Sequence, residues 1–453
     1  MQSLKSVAPA LVRTVCLLLL ASWATASDLK TGKAAHEGVS AERLQRINKH
    51  MQQAVADGVM VGGQGMIARN GKIIYNEVYG LSDREDNSPM RKDTMHRIYS
   101  MTKPVTAVAL MMLYEEGKFF LDDPVARYLP ELADLQLALS SADADGGYVS
   151  DGTEIQQGSA GDNSRVGQTR APLRQPTIRD LLRHTAGLTY GIFGESEVDK
   201  LYREAELFEA PTIEEFVQRL GKLPLQYEPG RRWHYSIAVD VQGRLIEALS
   251  GMRFGEFLQQ RIFTPLAMAD TSFVVPVEKW PRVATLYAPE GGAWGAAGPV
   301  VGGSGLVPAD PRTDVNYKVG ATFESGGAGL ISTADDYMRF SMMLLNGGEL
   351  NGVRLLSPKT VELMTTNHLR EVAMPSAMGG GMGFGLGFAV ALDLGAMSQT
   401  GSVGEFSWGG AAGTRFWIDP QEQLIGIFMV QSLPHQTRLA REFKVLTYQA
   451  LVD

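Results

Sequence analysis

Tyr99-Ser100-Met101-Thr102-Lys103-Pro104, followed by Val105-Thr106-Ala107-Val108-Ala109-Leu110-Met111-Met112-Leu113, decides how this chain is read. The run after Pro104 is apolar on nearly every helical face, so it predicts a helix buried in a core. Proline is tolerated there only in the first turn, where its missing N–H costs nothing. Gly117 is the expected stop. Ser100 and Lys103 are three apart and share a face at helical spacing. A hydroxyl and an amine are thus presented together at the N-terminal end of a buried helix. Burial disfavours the ammonium form, which would prepare Lys103 to take the Ser100 proton. The S-x-x-K spacing alone is not decisive. Ser27-Asp28-Leu29-Lys30 has it too, with no apolar helix behind it. On context alone, Ser100 fits a nucleophile or a helix-capping serine with a solvated lysine.

Working outward, the chain is long enough for one large or two ordinary domains, with 453 residues, 44% of them hydrophobic. Its net charge of −8 and lack of a basic run argue against a nucleic-acid partner. Residues 1–26 have the form of a secretory signal peptide. Lys5 and Arg13 form the basic end, Val15 to Ala21 the apolar run, and Ala24-Thr25-Ala26 the cleavage site. That run is short for a membrane span, so no stable membrane insertion is expected. The alternative is an uncleaved anchor. Cleavage would remove Cys16, the one cysteine, leaving no disulfide, thiolate nucleophile or cysteine-bound metal. The expected location is periplasmic or secreted.

The pattern from 27 to 453 predicts one catalytic domain in two parts. Ser40 to Ala56 reads as an amphipathic helix with Leu44, Ile47, Met51, Ala54 and Val55 inward and Ser40 as cap. Gly65 to Arg69, Asn70-Gly71 and Lys72 to Tyr75 form a hairpin signal. Near the other end, Ala389 to Leu392, Phe406 to Gly410, Thr414 to Ile418 and Leu424 to Val430 read as strands, and Thr437 to Val452 as a closing helix. Another helix, capped at Ser332 to Asp336, carries Tyr337, Met338, Phe340, Met343 and Leu344. The expected fold is α+β: an antiparallel sheet built from both termini, about 40–122 plus 321–453, flanked by helices. A mainly helical subdomain, about 123–320, is inserted. Within it, Ser140 to Arg170 is polar and Gly-rich and is expected to be a mobile insertion. Gly291 to Gly305 is a second Gly-rich loop.

Several chemistries are excluded by pattern. No two of the seven histidines have metal-ligand spacing, and there is no H-E-x-x-H. Gly383 to Phe388 lacks the G-x-G-x-x-G spacing of a nucleotide site, and no G-x-S-x-G elbow occurs. No metal or cofactor is expected. A Ser100 nucleophile would take lysine or tyrosine as its base, and His184 is expected to be a structural hydrogen-bonder.

Ser100-Met101-Thr102-Lys103 on a buried helix resembles the first motif of the serine β-lactamase and penicillin-binding-protein superfamily. Tyr235-Ser236-Ile237, within Pro229-Gly230-Arg231-Arg232-Trp233-His234-Tyr235-Ser236, resembles the second, Y-x-N, in its class C version. Trp408-Gly409-Gly410 stands where that family has K-T-G and is similar to the W-G-G of family VIII carboxylesterases and related acyltransferases. Leu181 to Leu188 and Gly326 to Thr333 match as well, so the likeness runs in order over about 40–450.

The resemblance implies a β-lactamase/transpeptidase-like fold and a Ser100 acyl-enzyme. It implies Lys103 and Tyr235 as proton carriers and an oxyanion hole from the backbone N–H groups of Ser100 and Ala411. Trp408, Gly409, Gly410 and Ile237 would line the substrate. Trp408 is either a wall of the acyl pocket or an apolar strand residue. Two departures matter. Ile237 replaces the Asn that grips a lactam or peptide amide, and Trp408 replaces the Lys that draws in a substrate carboxylate. The expected activity is therefore an exported serine hydrolase acting on small-molecule esters of short acyl chains. The alternatives are a β-lactamase or D,D-carboxypeptidase, an acyltransferase, or a catalytically silent cell-wall binding or scaffold protein. Nothing in the sequence sets the oligomeric state.

Overall fold

The computed structural model describes residues 29–139, 168–290, 305–309, 323–370, 372, 380–433 and 438–453. The expected signal peptide, nearly all of the expected insertion and nearly all of the second Gly-rich loop lie outside the described residues.

The eight-stranded sheet is built from both ends of the chain. Its strands are β1 (Gly62–Arg69), β2 (Lys72–Asp83), β3 (Ser88–Pro89), β4 (Met382–Phe384), β5 (Ala389–Ala391), β6 (Phe406–Gly409), β7 (Arg415–Asp419) and β8 (Leu424–Val430). They lie in the order β4-β5-β6-β7-β8-β1-β2-β3, and every neighbouring pair is antiparallel. The join between the two ends is β1 on β8, in register from Gly63↔Val430 to Arg69↔Leu424. Asn70 and Gly71 both have positive φ, as the Asn-Gly hairpin turn requires.

Helices cover both faces. On one face, α1 (Ala41–Ala56) is capped by Ser40, whose side chain accepts from the Arg43 N–H. It packs Leu44, Ile47, Met51 and Ala54 with the closing helix, which spans Leu439–Tyr448, against Tyr75, Trp417 and Phe428. On the other face lies α2 (Thr102–Glu115), in which every residue from Thr102 to Leu113 is buried. Strand alternation explains how one strand serves both cores: Trp417 faces the first helix pair, while Phe416 and Ile418 belong to the core on the other face, which also holds α2. Helix α2 stops as expected at Gly117, which has a φ of +71°. A Cβ on Gly387 would come within 2.4 Å of the Ala107 Cβ, so only glycine lets this loop lie against α2.

The inserted part is made mainly of short helices. Two of them position the site. Helix α3 (Ile178–Leu182) starts at a Thr177–Asp180 capping box. Helix α4 (Ala238–Ser250) follows the Tyr235 segment and packs beside α2. The helix α5 (Ala334–Leu345) is capped by Thr333 and lies over the sheet. No helix among the described residues is long and apolar enough to cross a membrane.

Candidate active site

Ser100 lies in a single 3₁₀ turn, Tyr99–Met101, directly ahead of α2. A two-residue ladder, His96–Arg97 with Ile331–Ser332, anchors the approach to this turn. Tyr99 turns the chain with a φ of +43°. A left-handed backbone costs a non-glycine residue about 1 kcal/mol. The Tyr99 ring is held among Leu286, Ala412 and Leu433, which fixes that conformation beside the nucleophile.

Two side chains converge on Ser100. Lys103 Nζ lies 3.1 Å from Ser100 Oγ. Tyr235 OH lies 2.7 Å from the same oxygen. Lys103 Nζ also donates to Tyr190 OH and to the Gly327 carbonyl, each at 2.8 Å. Three acceptors around Nζ are the complement of an ammonium's three N–H groups. Nζ sits 4.6 Å from the centre of the Tyr235 ring, on its face, where a cation is attracted to the ring and stabilises negative charge on its oxygen.

The Tyr235 ring is packed on several sides. His184 lies 4.9 Å away, Trp408 5.5 Å and Phe193 5.9 Å between centroids. His184 is itself fully enclosed. Burial first, then the Lys103 and His234 charges, holds its imidazole well below the usual histidine range. It stays neutral and has the structural role expected of it, with its Nδ1 facing the Ser236 N–H at 3.4 Å. Burial likewise raises the Tyr190 hydroxyl well above the ordinary phenol range, so Tyr190 serves Lys103 as a neutral acceptor.

Strand β6 brings the third segment in. Trp408 is buried, with its ring against Tyr235 and, edge on, against Phe384 at 5.3 Å. Of the two sequence readings, the structure shows the buried strand residue, with its ring beside that of Tyr235. At the strand end, a Cβ on Gly410 would lie 2.3 Å from Thr414 Oγ1 and 2.4 Å from the Ile98 carbonyl. Glycine is needed for β6 to approach the segment that carries Ser100. Gly409 ends the strand, and Ala411 packs on the same cluster as Tyr99. Ile237 differs from expectation. It has no exposed surface and belongs to the apolar core at the start of α4, so its side chain packs rather than meeting substrate.

Tyr190, Gly327 and Asp240 were not singled out from sequence as site residues. Tyr190 lies two residues beyond the Leu181 to Leu188 segment, and Gly327 lies within Gly326 to Thr333. The signal for both was proximity to matched segments; no spacing rule links them to Ser100. Among the described residues no group of three His, Cys, Asp or Glu could hold a metal ion.

The family pattern described as Beta-lactamase matches residues 47–449. The chain belongs to the beta-lactamase family. Within the family, this chain is 33% identical over 389 residues to an uncharacterized protein of Mycobacterium tuberculosis, covering 83% of this chain and 87% of that one. It is 29% identical over 395 residues to Esterase EstB of Burkholderia gladioli, covering 84% and 88% respectively. Among solved structures it is similar to EstCE1, titled a hydrolase with promiscuous acyltransferase activity. The TM-score is 0.70 at 27% identity, over 90% of this chain and 98% of that one. As a beta-lactamase family member similar to an esterase and to a hydrolase with promiscuous acyltransferase activity, the chain is an enzyme of the serine-hydrolase type.

Proposed function

We propose that this enzyme cleaves small carboxylic esters through a Ser100 acyl-enzyme and passes the acyl group to water or to a second alcohol. The observation that carries the reading is the pair of contacts on Ser100 Oγ, from Tyr235 at 2.7 Å and Lys103 at 3.1 Å. Ser100 Oγ attacks the ester carbonyl carbon while its proton passes to the Tyr235 oxygen, with Lys103 offsetting the phenolate charge. The carbonyl oxygen gains charge and accepts from the Ser100 and Ala411 backbone N–H groups. The tetrahedral intermediate collapses, and the leaving alkoxide takes the proton back from Tyr235. Water or an acceptor alcohol then repeats these steps in reverse order of bond making and breaking.

This proton path sets the orientation of the ester. The leaving oxygen must come within hydrogen-bond reach of Tyr235, and we place the alcohol beside Phe193, whose ring lies 5.9 Å from that of Tyr235, with Phe208 beyond Tyr190. Both rings are near Tyr190 and are 58% and 45% exposed. We place the acyl chain beside Trp408, which stands where the family has the lysine that draws in a substrate carboxylate. That arrangement favours simple esters over penicillins or D-Ala-D-Ala ends. The alternative of acyl transfer draws support from the EstCE1 title, and we keep transfer and hydrolysis as two fates of one intermediate. Residues 1–26 support export, with cleavage after Ala26.

The test is mass spectrometry of intact protein during turnover of vinyl butyrate, with and without an added alcohol. The expected result is a butyryl adduct on Ser100 and a new ester when alcohol is present. Turnover without any adduct in the native protein, or an adduct that survives Ser100→Ala, refutes the assignment.

A further inference from the structure

Behind Lys103 lies a carboxylate that the steps above do not use. Asp240, in the first turn of α4, has no exposed surface. Its Oδ1 accepts from Ser325 Oγ at 2.6 Å and from the Gly327 N–H at 3.0 Å. The carbonyl of that same Gly327 accepts from Lys103 Nζ at 2.8 Å. One glycine therefore joins the carboxylate to the amine, with its N–H on one and its C=O on the other. Asp240 Oδ2 has no hydrogen-bond partner among the described residues. A Cβ on Gly327 would stand 2.8 Å from Oδ2 and 2.9 Å from Tyr190 OH, so both groups close on Gly327 from one side. An unpaired buried carboxylate oxygen is expensive unless a nearby positive charge compensates it, and Lys103 is that charge.

We propose that Asp240 is the positioning residue for Lys103: it holds the Gly327 carbonyl on Nζ and supplies the buried negative charge that the amine faces. The inference rests on the catalytic reading of Ser100, Lys103 and Tyr235. The Ser325 hydroxyl is part of the device. It donates to Asp240 and accepts from the Ala328 N–H at 3.1 Å, which fixes the turn carrying Gly327. Burial raises the Asp240 carboxyl above the usual range, while Ser325, Lys103 and the Gly327 N–H oppose that rise.

The other ionisable groups around the pair are accounted for. Tyr190 comes from the loop after α3, and burial keeps it a phenol. His184, at the end of α3, is held neutral, and His234 behind it is lowered to about 4, chiefly by burial. Strand β6 contributes Trp408 and no charge on this side. Removing the Asp240 charge therefore makes a positive Lys103 less favourable and a negative Tyr235 more favourable. Both changes move deprotonation to lower pH.

The experiment is the pH profile of kcat/KM for p-nitrophenyl butyrate, with kcat and KM read separately, for native protein and Asp240→Asn. The expected result is an ascending limb displaced by about one unit toward acid. Plateau kcat should fall at least ~10-fold with KM changed less than ~3-fold, because Asp240 orients a proton carrier and touches no substrate. A limb that stays in place overturns the proposal, whether or not activity falls, since a merely structural aspartate would lower activity without moving it. If Asp240→Asn does not fold, Ser325→Ala is measured instead. It should displace the limb in the same direction by a smaller amount, and an unmoved limb again overturns the proposal. Fluorophosphonate labelling of the native protein separates the two readings. Labelling at Ser100 with an unmoved limb overturns the role of Asp240 alone, whereas no labelling overturns the catalytic reading and this inference with it.

Discussion

Tyr235→Phe removes one oxygen, and the structure shows what that oxygen does. It lies 2.7 Å from Ser100 Oγ, while the ring that carries it is held by His184, Trp408 and Phe193. Phenylalanine keeps those ring contacts, so the fold should lose no more than the net worth of one hydrogen bond, about 1 kcal/mol. Catalysis should lose far more. Positioned proton transfer contributes ~10²–10⁴-fold, equivalent to about 3–5 kcal/mol of barrier. Lys103→Met should lower kcat by at least ~10² as well, since Nζ contacts Ser100 Oγ and lies on the face of the Tyr235 ring. The two losses should not multiply: the double variant should lie within about tenfold of the worse single one, because a single proton path is broken once. Steady-state turnover of p-nitrophenyl butyrate, with thermal melting as the folding control, measures all four proteins. Losses that multiply across the cycle would show two independent functions and refute the shared path.

Three further outcomes follow from the same geometry. Short-chain aryl esters should be cleaved with kcat/KM at least ~10²-fold above nitrocefin, because a buried substrate carboxylate facing Trp408 lacks a charge-assisted partner; equal efficiency would refute this. Phe193→Ala should raise KM about 3–10-fold for butyrate esters of large apolar alcohols while leaving vinyl butyrate within ~2-fold, since loss of a half-exposed ring is worth about 1 kcal/mol; an equal effect on both substrates would place the alcohol elsewhere. Asp180, buried and bonded to Arg174, Arg183, Thr177 and Thr185, has its carboxyl held below the usual range by these partners against the opposing effect of burial. Its folded pKa is depressed, so its contribution is present above the ordinary value of 3.8 and fades as pH falls below it. Denaturant titration should show Asp180→Asn less stable by about 3 kcal/mol at pH 7, with the difference shrinking below pH ~4; a difference that grows in acid would reverse the sign of the argument.

The parts of this enzyme that were legible in its sequence are those in which one segment does the whole job. The Ser100–Lys103 pair needs only one helix, and its burial is written in the apolar run behind it. The Asn70-Gly71 hairpin and the last strand, Leu424–Val430, are equally local. Tyr235 needed the motif around it, because nothing in spacing ties residue 235 to residue 100. Tyr190, Asp240 and Gly327 were missed for the same physical reason. They meet only when α2, α4 and the loops after α3 and before α5 are packed together. Ile237 was misplaced because its position in the motif says where the backbone goes, whereas the apolar side chain turns into the core. Strand β2 runs on to Asp83, past the point where the hairpin pattern stops, because it remains paired to β1 up to Gly80 and to β3 from Leu81 to Asp83.

The pairing of β1 with β8 also sets the order in which the enzyme is assembled. Strand β1 and the segment bearing Ser100 and Lys103 are synthesised well before the partner of β1, from Leu424 to Val430, leaves the ribosome. Until it arrives, β1 and β2 form only an isolated hairpin, which is marginal in water, and the apolar α2 has no sheet to lie on. Strand β6, with Trp408 and the backbone that meets the Ser100 segment, is also a late product. The nucleophile therefore exists as sequence long before it exists as a site. A nascent chain that ends before Val430 should carry Ser100 but leave it chemically ordinary, so the enzyme becomes reactive only once the strand from Leu424 to Val430 has emerged.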